Sequence, residues 1–282
     1  MTTRREFVQA LAASTLAAPA IRAFGPLADL PPGPLPTLGV QLYTVRESMR
    51  TSVERTLARV RAIGYGEVEF AGYFGKSARE LKQMLQRTGL RAPSAHVGLE
   101  ELTTKLDATL EAAAEVGHRW LVLPWIDQQD RTPEGIDRIA GQLNLAGDRA
   151  AGYGVRVGYH NHDFDLHPWE DGTTPLGRLI SHLDPKHCDM ELDLYWVTKG
   201  GSEPRTWFER FPGRFPMVHV KDAGPAPEYV MHDVGAGVMD WKAIFALRRM
   251  AGIEHYFIEH DEPADPWASI NASYRYLSRL DV

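Results

Sequence analysis

The chain holds eleven histidines, and several stand beside other groups able to do chemistry. His160 and His162 are two residues apart, as are His219 and Lys221, and Glu259 and Asp261. Each pair closes a short apolar, β-rich run, and Glu69, His96 and Asp193 close three more. Residues two apart on a strand share a face, so each pair can project both members the same way if the strand persists that far. One histidine at a strand end is ordinarily a satisfied structural group, and one aspartate often just caps the next helix. Five or more imidazoles and carboxylates gathered on one surface are different, because burying them uncompensated is costly. A divalent cation held by several at once offsets that cost. Two histidines, one aspartate and one glutamate suit Mn²⁺, Co²⁺, Zn²⁺ or Fe²⁺. Such a set is too rich in nitrogen for a Ca²⁺ cage and lacks the sulfur of a structural zinc site.

These residues need a scaffold that gathers strand ends. Eight β-rich runs are read at 38–43, 67–71, 92–96, 120–124, 155–161, 189–194, 217–221 and 256–260. Helical patterns alternate with them at 51–63, 77–88, 101–116, 133–153, 175–183, 204–211, 241–250 and 266–280. Thr132-Pro133 and Asp240 read as helix starts, and Gly89, Gly117, Gly154 and Gly252 as helix ends. Strict alternation of eight with eight predicts an α/β fold, a closed (β/α)₈ TIM barrel in a single domain. The active sites of such barrels lie at the C-terminal strand ends, where the polar residues collect. No G-x-G-x-x-G follows the first strand and no P-loop motif occurs, so a dinucleotide or nucleotide-phosphate site is not supported.

Composition narrows the classes. The chain has 282 residues, 44% hydrophobic and 24% charged, which is ordinary globular usage. A net charge of −6 argues against nucleic acid as a partner, and one cysteine, Cys188, excludes an internal disulfide framework. Residues 1–23 pair Arg4-Arg5 with a short Ala-rich apolar stretch and the small-x-small exit Ala18-Pro19-Ala20. That pattern predicts a twin-arginine export signal, hence the export machinery as a partner, a periplasmic location and no stable membrane insertion. Residues 24–37 read as a Pro-rich linker and 38–282 as the barrel.

Five stretches together carry a family resemblance: Gly158-Tyr159-His160-Asn161-His162, Glu191-Leu192-Asp193, His219-Val220-Lys221-Asp222, Gly235-Ala236-Gly237-Val238-Met239-Asp240 and Ile258-Glu259-His260-Asp261. From about Leu38 onward the chain resembles the xylose isomerase-like TIM-barrel family of sugar isomerases, epimerases and inosose dehydratase-like proteins. The resemblance implies one divalent metal ion (Mn, Co, Zn, Fe or Mg) on His160, Asp193, His219 and Glu259. It also implies a sugar pocket involving Glu69, His96, Lys221 and Trp196, and it makes a homodimer an expectation. His160 departs from the family pattern, which usually has glutamate there, and this weakens a mechanism using two glutamates. Gln41 and Tyr43 leave the first strand toward the same mouth. Trp125, Trp169, Trp207 and Trp241 are candidates for stacking on a sugar, although more of them are expected to pack helices.

The implied chemistry is proton abstraction beside a carbonyl through an enediolate, with Glu259, Lys221 and His162 as candidate catalytic groups beside Glu69. Reprotonation would make the protein a sugar or keto-sugar isomerase or epimerase. Loss of a β-substituent would make it a keto-glycoside lyase or hydratase, or an inosose-type dehydratase. A periplasmic sugar-binding protein without turnover is a further reading. A metal-dependent endonuclease on the same barrel is disfavoured by the acidic charge and the export signal.

Overall fold

The computed structural model describes residues 33–282. Eight parallel strands close the predicted barrel. In chain order they are β1 (Leu38–Gln41), β2 (Glu67–Ala71), β3 (Arg91–His96), β4 (Trp120–Leu123), β5 (Arg156–His160), β6 (Cys188–Asp193), β7 (Met217–Val220) and, after a two-stranded ribbon, β10 (His255–Ile258). The ribbon, β8 (Asp222–Ala223) against β9 (Met231–His232), is antiparallel and begins two residues past β7. β1 pairs with both β2 and β10, which seals the cylinder. All eight runs read from the sequence are strands, with ends moved by a residue or two.

The helices follow their local signals. Thr132 accepts a hydrogen bond from the Gly135 amide and Asp240 from the Ala243 amide, as N-caps should. Gly89, Gly117 and Gly252 close their helices in the left-handed conformation, but the helix before Gly154 already ends at Ala151. The helix read at 51–63 is Val53–Ile63, capped by Ser52, and a separate short helix, Arg46–Thr51, precedes it; the helix read at 241–250 is broken into Trp241–Ala246 and Arg248–Ala251. Leu194–Lys199 is a helix the sequence reading lacked, because it follows β6 with no loop. Asp193 both ends the strand and caps the helix, accepting from the Trp196 amide at 2.9 Å.

Inside the barrel the side chains form layers. At the strand starts, Glu67 meets His255 and Arg91, both at 2.8 Å, and Asp189 accepts from Trp120 Nε1 at 2.7 Å and from Arg156. Above this lies a small apolar plug of Trp120, Val122, Met217 and Phe257. Gly39 is required on β1 because a Cβ there would fall 2.6 Å from the Phe257 ring. Above the plug most inward positions are polar, and the candidate functional residues sit there.

Residues 33–34 pair with 281–282: the Gly33 and Val282 backbones exchange hydrogen bonds of 3.2 and 3.1 Å, and Pro34 bridges Asp281. The end of the expected linker is thus fastened to the barrel unit. The expected export signal, residues 1–23, lies outside the described residues. Among the described residues no helix is long and apolar enough to cross a membrane. Cys188 is buried and free.

Candidate functional site

The strand ends bring two tiers of titratable groups together. The lower tier is made by Glu69 on β2 and Glu191 on β6, both fully buried. Glu191 Oε2 lies 2.7 Å from His96 Nε2, 3.1 Å from His219 Nε2 and 3.2 Å from His160 Nδ1. Glu69 Oε2 lies 2.6 Å from His219 Nε2 and accepts from Gln41 Nε2 at 2.8 Å, while Ser94 bonds its other oxygen. The upper tier is Asp193, Lys221 and Glu259 with the remaining nitrogens of His160 and His219. His219 Nδ1 is 2.8 Å from Glu259 Oε2 and 3.9 Å from Asp193 Oδ2; His160 Nε2 is 3.7 Å from the same aspartate oxygen.

This arrangement gives each imidazole a direction. His160 turns Nδ1 and His219 turns Nε2 down to the lower carboxylates. His160 with its proton on Nδ1 turns the Nε2 lone pair toward Asp193, whereas His219 meets carboxylates through both nitrogens; burial opposes its charge, but Glu191 and Glu259 hold its pKa well above the ordinary histidine value. Carboxylates orient metal-ligating histidines in this way.

Lys221 takes the centre of the upper tier. Its ammonium lies 2.7 Å from Glu259 Oε2, 2.8 Å from Asp261 Oδ1 and 3.0 Å from Asp193 Oδ2. Burial opposes its charge, but these three carboxylates outweigh that and hold its pKa well above the ordinary lysine value. Burial likewise opposes ionisation of Glu259, yet Lys221 and His219 keep it well below the usual carboxylate range. Burial pushes Asp193 up to about 6 against the pull of Lys221. Burial, aided by the neighbouring His219, depresses His160 to about 3, so this imidazole is neutral at physiological pH.

The donor set fits a divalent cation. One ligand atom each from Asp193, His219 and Glu259 lie within 4.8 Å of one another, and so do those from His96, His160, Glu191 and His219. Asp193 Oδ2 and Glu191 Oε1 are buried without a hydrogen bond; the first is within ion-pair distance of Lys221 but not aligned to accept from it. Buried oxygens left this way are costly, and Asp193 Oδ2, beside His219 and Glu259, is the one a cation there would satisfy. Nitrogen and oxygen donors without sulfur suit the borderline ions expected from the sequence.

A pocket of about 940 Å³ opens above these tiers. His96, His160, His162, Trp196, Lys221 and Glu259 line it, as the sequence reading expected of a common mouth. Asp193 and His219 lie in the layer under it. Glu69, expected at the substrate, instead lies sealed beneath the imidazoles with Gln41; its inward position on β2 falls one layer too deep to touch a ligand. Of the four tryptophans considered for stacking, Trp125 lines the pocket, Trp207 and Trp241 are buried in packing, and Trp169 is half-buried against the core. Glu191 was missed. It stands two residues before Asp193 on the same strand face, the spacing rule already applied to three other strands.

The Gly235–Asp240 stretch is structural. Asp222 accepts from the Gly235 and Met239 amides at 2.8 and 3.2 Å and from Trp241 Nε1 at 2.9 Å. A Cβ on Gly237 would sit 2.2 Å from Asp222 Oδ1, so only glycine passes there.

Comparisons with known proteins agree with this architecture. An inosose dehydratase from Lacticaseibacillus casei is 24% identical over 266 residues, covering 79% of this chain and 88% of that protein. The structure of a sugar phosphate isomerase/epimerase from Parabacteroides distasonis superposes with a TM-score of 0.76 at 22% identity, covering 86% of this chain and 98% of that one. The structure of the IolI protein, which holds a zinc atom, gives 0.68 at 16% identity over 85% of this chain and 96% of that one. At these identities the two structures establish the fold. The sequence signature of the xylose isomerase-like TIM barrel matches residues 57–279, most of the barrel. The chain belongs to the xylose isomerase-like TIM barrel family.

Proposed function

We propose that the protein is an exported, divalent-metal-dependent enzyme that removes the proton beside the carbonyl of a sugar-derived ketone and expels a β-oxygen substituent. The observation that carries this reading is that, of the buried glutamates at the strand ends, only Glu259 reaches the pocket. An epimerase that moves protons on both faces of a sugar through two glutamates lacks its second one, since Glu69 and Glu191 lie beneath the imidazoles. The dehydratase relative supports elimination over reprotonation.

His160, Asp193, His219 and Glu259 would hold the metal, which when bound supplies Lewis-acid polarisation of the carbonyl. His162 serves as the base. Burial, then the nearby His160, holds its pKa well below the ordinary histidine value, so it is neutral. Its Nδ1 is buried and makes no hydrogen bond, so Nε2 is the nitrogen that meets a ligand and takes the proton. The Lys221 ammonium faces the pocket with three carboxylates fixing it, and donates to the departing oxygen. His96 and Trp196 wall the pocket against water. The paired arginines before the apolar N-terminal stretch support export to the periplasm.

The test is incubation of metal-loaded protein with keto-sugars in D₂O. An unsaturated ketone is expected, with deuterium at the α-carbon of recovered, uneliminated ketone, and His162→Gln should lose both while retaining metal. A deuterated isomer with no elimination product would favour the isomerase reading. Thermal stabilisation by sugars without exchange or product would favour a binding protein.

A further inference from the structure

Above its polar floor the pocket changes character. Trp125, in the loop after β4, keeps 49% of its surface exposed, and Tyr43, just past β1, keeps 42%. Both line the mouth, together with Val230, which is 60% exposed. Large aromatic rings left open at a pocket rim mark a ligand surface.

Both rings are held in place. The Arg131 guanidinium lies 4.5 Å from the Trp125 ring centre, and the Arg46 guanidinium 4.1 Å from that of Tyr43. Arg46 is itself anchored on the Asp261 carbonyl at 2.8 Å, and Arg131 on the Ile126 carbonyl at 3.0 Å. Trp125 also meets His162 edge-on, with ring centres 4.9 Å apart at 81°. The arginine and imidazole contacts fix the ring while about half of its surface stays open. A ring already ordered loses little entropy when a ligand stacks on it.

Of the charged side chains lining the mouth, four are carboxylates, Asp163, Glu259, Asp261 and Glu262, against Lys199 and Lys221, a balance that disfavours a strongly anionic outer group. The volume of about 940 Å³ is near the top of the range for small-molecule sites, roughly 300–1,000 Å³, and leaves room well beyond one sugar ring.

We infer that Trp125 and Tyr43 form an outer subsite for the second ring of an uncharged glycoside, whose first ring lies on the polar floor. This deepens the reading of the site as a sugar-ketone enzyme by naming the substrate class, and it rests on that reading. In the elimination the bond broken is then the one from ring carbon to glycosidic oxygen. His162 takes the α-proton, the carbon–carbon double bond forms, and the released alcohol takes its proton from Lys221. Atoms and charge balance with no oxidant. The second ring can be a sugar or an aryl group, since both present a flat, weakly polar face to an aromatic.

The experiment reads binding, so it does not depend on turnover. Methyl, phenyl and disaccharide glycosides of gluco, galacto and manno configuration are titrated by calorimetry into metal-loaded protein. In at least one configuration the two-ring ligand should bind about tenfold tighter than its methyl glycoside, the gain one aromatic contact supplies. Trp125→Ala should bring the two-ring and methyl ligands to equal affinity; Tyr43→Ala should remove part of the difference. Preference for phenyl or disaccharide ligands tells aryl from sugar as the second ring. Equal affinity within every configuration, no binding by any ligand, or an unchanged gain in Trp125→Ala overturns the subsite. Tight two-ring binding, with no elimination in D₂O from the corresponding glycoside whose first ring carries a ketone at carbon 3, would instead retain the subsite and refute the proposed reaction.

Discussion

Glu191 touches no ligand, yet the geometry makes it the group that most strongly governs metal affinity from outside the metal's own donors. Its Oε2 gathers His96, His219 and His160 at 2.7, 3.1 and 3.2 Å. Glu191→Gln keeps the shape and an oxygen able to accept, but removes the charge. A hydrogen bond to a charged group contributes about 1.5–3 kcal/mol and a neutral one about 0.5–1.5, so each loses about 1 kcal/mol or slightly more. Two of the three contacts, those to His160 and His219, orient donors of the proposed metal site. Their combined loss of ~2–3 kcal/mol corresponds to roughly 30- to 140-fold weaker binding, at and just past the upper end of the roughly 10- to 100-fold that such supporting groups contribute. Glu69→Gln should cost about half as much on the energy scale, because of those two donors it contacts only His219. The assay is competition of metal-free protein against a chelating dye for Zn²⁺ or Mn²⁺. The ¹⁵N spectra of the imidazoles supply an independent readout, since a lost acceptor frees His160 and His219 to exchange tautomers. An affinity within about threefold of the unsubstituted protein, with unchanged imidazole spectra, would refute the reasoning.

Lys221→Met removes the cation among Asp193, Glu259 and Asp261, and stranding buried charges of this kind destabilises by about 3–5 kcal/mol. Added Zn²⁺ should raise the melting temperature more in this variant than in the unsubstituted protein; an equal rise would mean that Lys221 does not balance these carboxylates. Asp165 supplies a pH dependence. Burial raises it from 3.8 to about 7, against the bonds it accepts from the His162 amide and Tyr159 hydroxyl. Between those values the folded chain keeps a proton that the unfolded chain has released, so this group's contribution falls as pH rises from about 4 to about 7, by ~4 kcal/mol in all. Urea unfolding at about pH 5 and about pH 8 should therefore show a smaller loss for Asp165→Asn than for the unsubstituted protein, and parallel losses would contradict the shift.

The barrel was legible because its signals are local and repeated. Caps such as Thr132 and Asp240 and glycines such as Gly89 act within a turn, and eight repeats of the same alternation leave few architectures. Leu194–Lys199 escaped because Asp193 serves strand and helix at once, with no loop residue to punctuate the change. At the site, the two-residue spacing found His160, Lys221 and Glu259 correctly at the mouth. It says which face a residue shares, but not how deep along the barrel axis it lies. Depth depends on the stagger between strands, and β2 meets β3 with a register shift between Glu67 and Glu69. This is why Glu69, read as a ligand contact, is a buried support for His219. Glu191, unread, lies at the same depth. The pairing of Lys221 with Asp193 joins two strands and has no trace in either one alone.

The apolar plug of Trp120, Val122, Met217 and Phe257 has a kinetic consequence. It stops the barrel below the carboxylate tier, so the site is a well with one opening. Among the described residues, the mouth is the route this leaves for water, protons and the proposed metal ion. A ligand lying across Trp125 and Tyr43 would then act as a stopper, slowing metal escape and the exchange of the buried imidazole protons together. Residence times of cation and sugar in this protein should therefore be coupled, even where their equilibrium affinities are not.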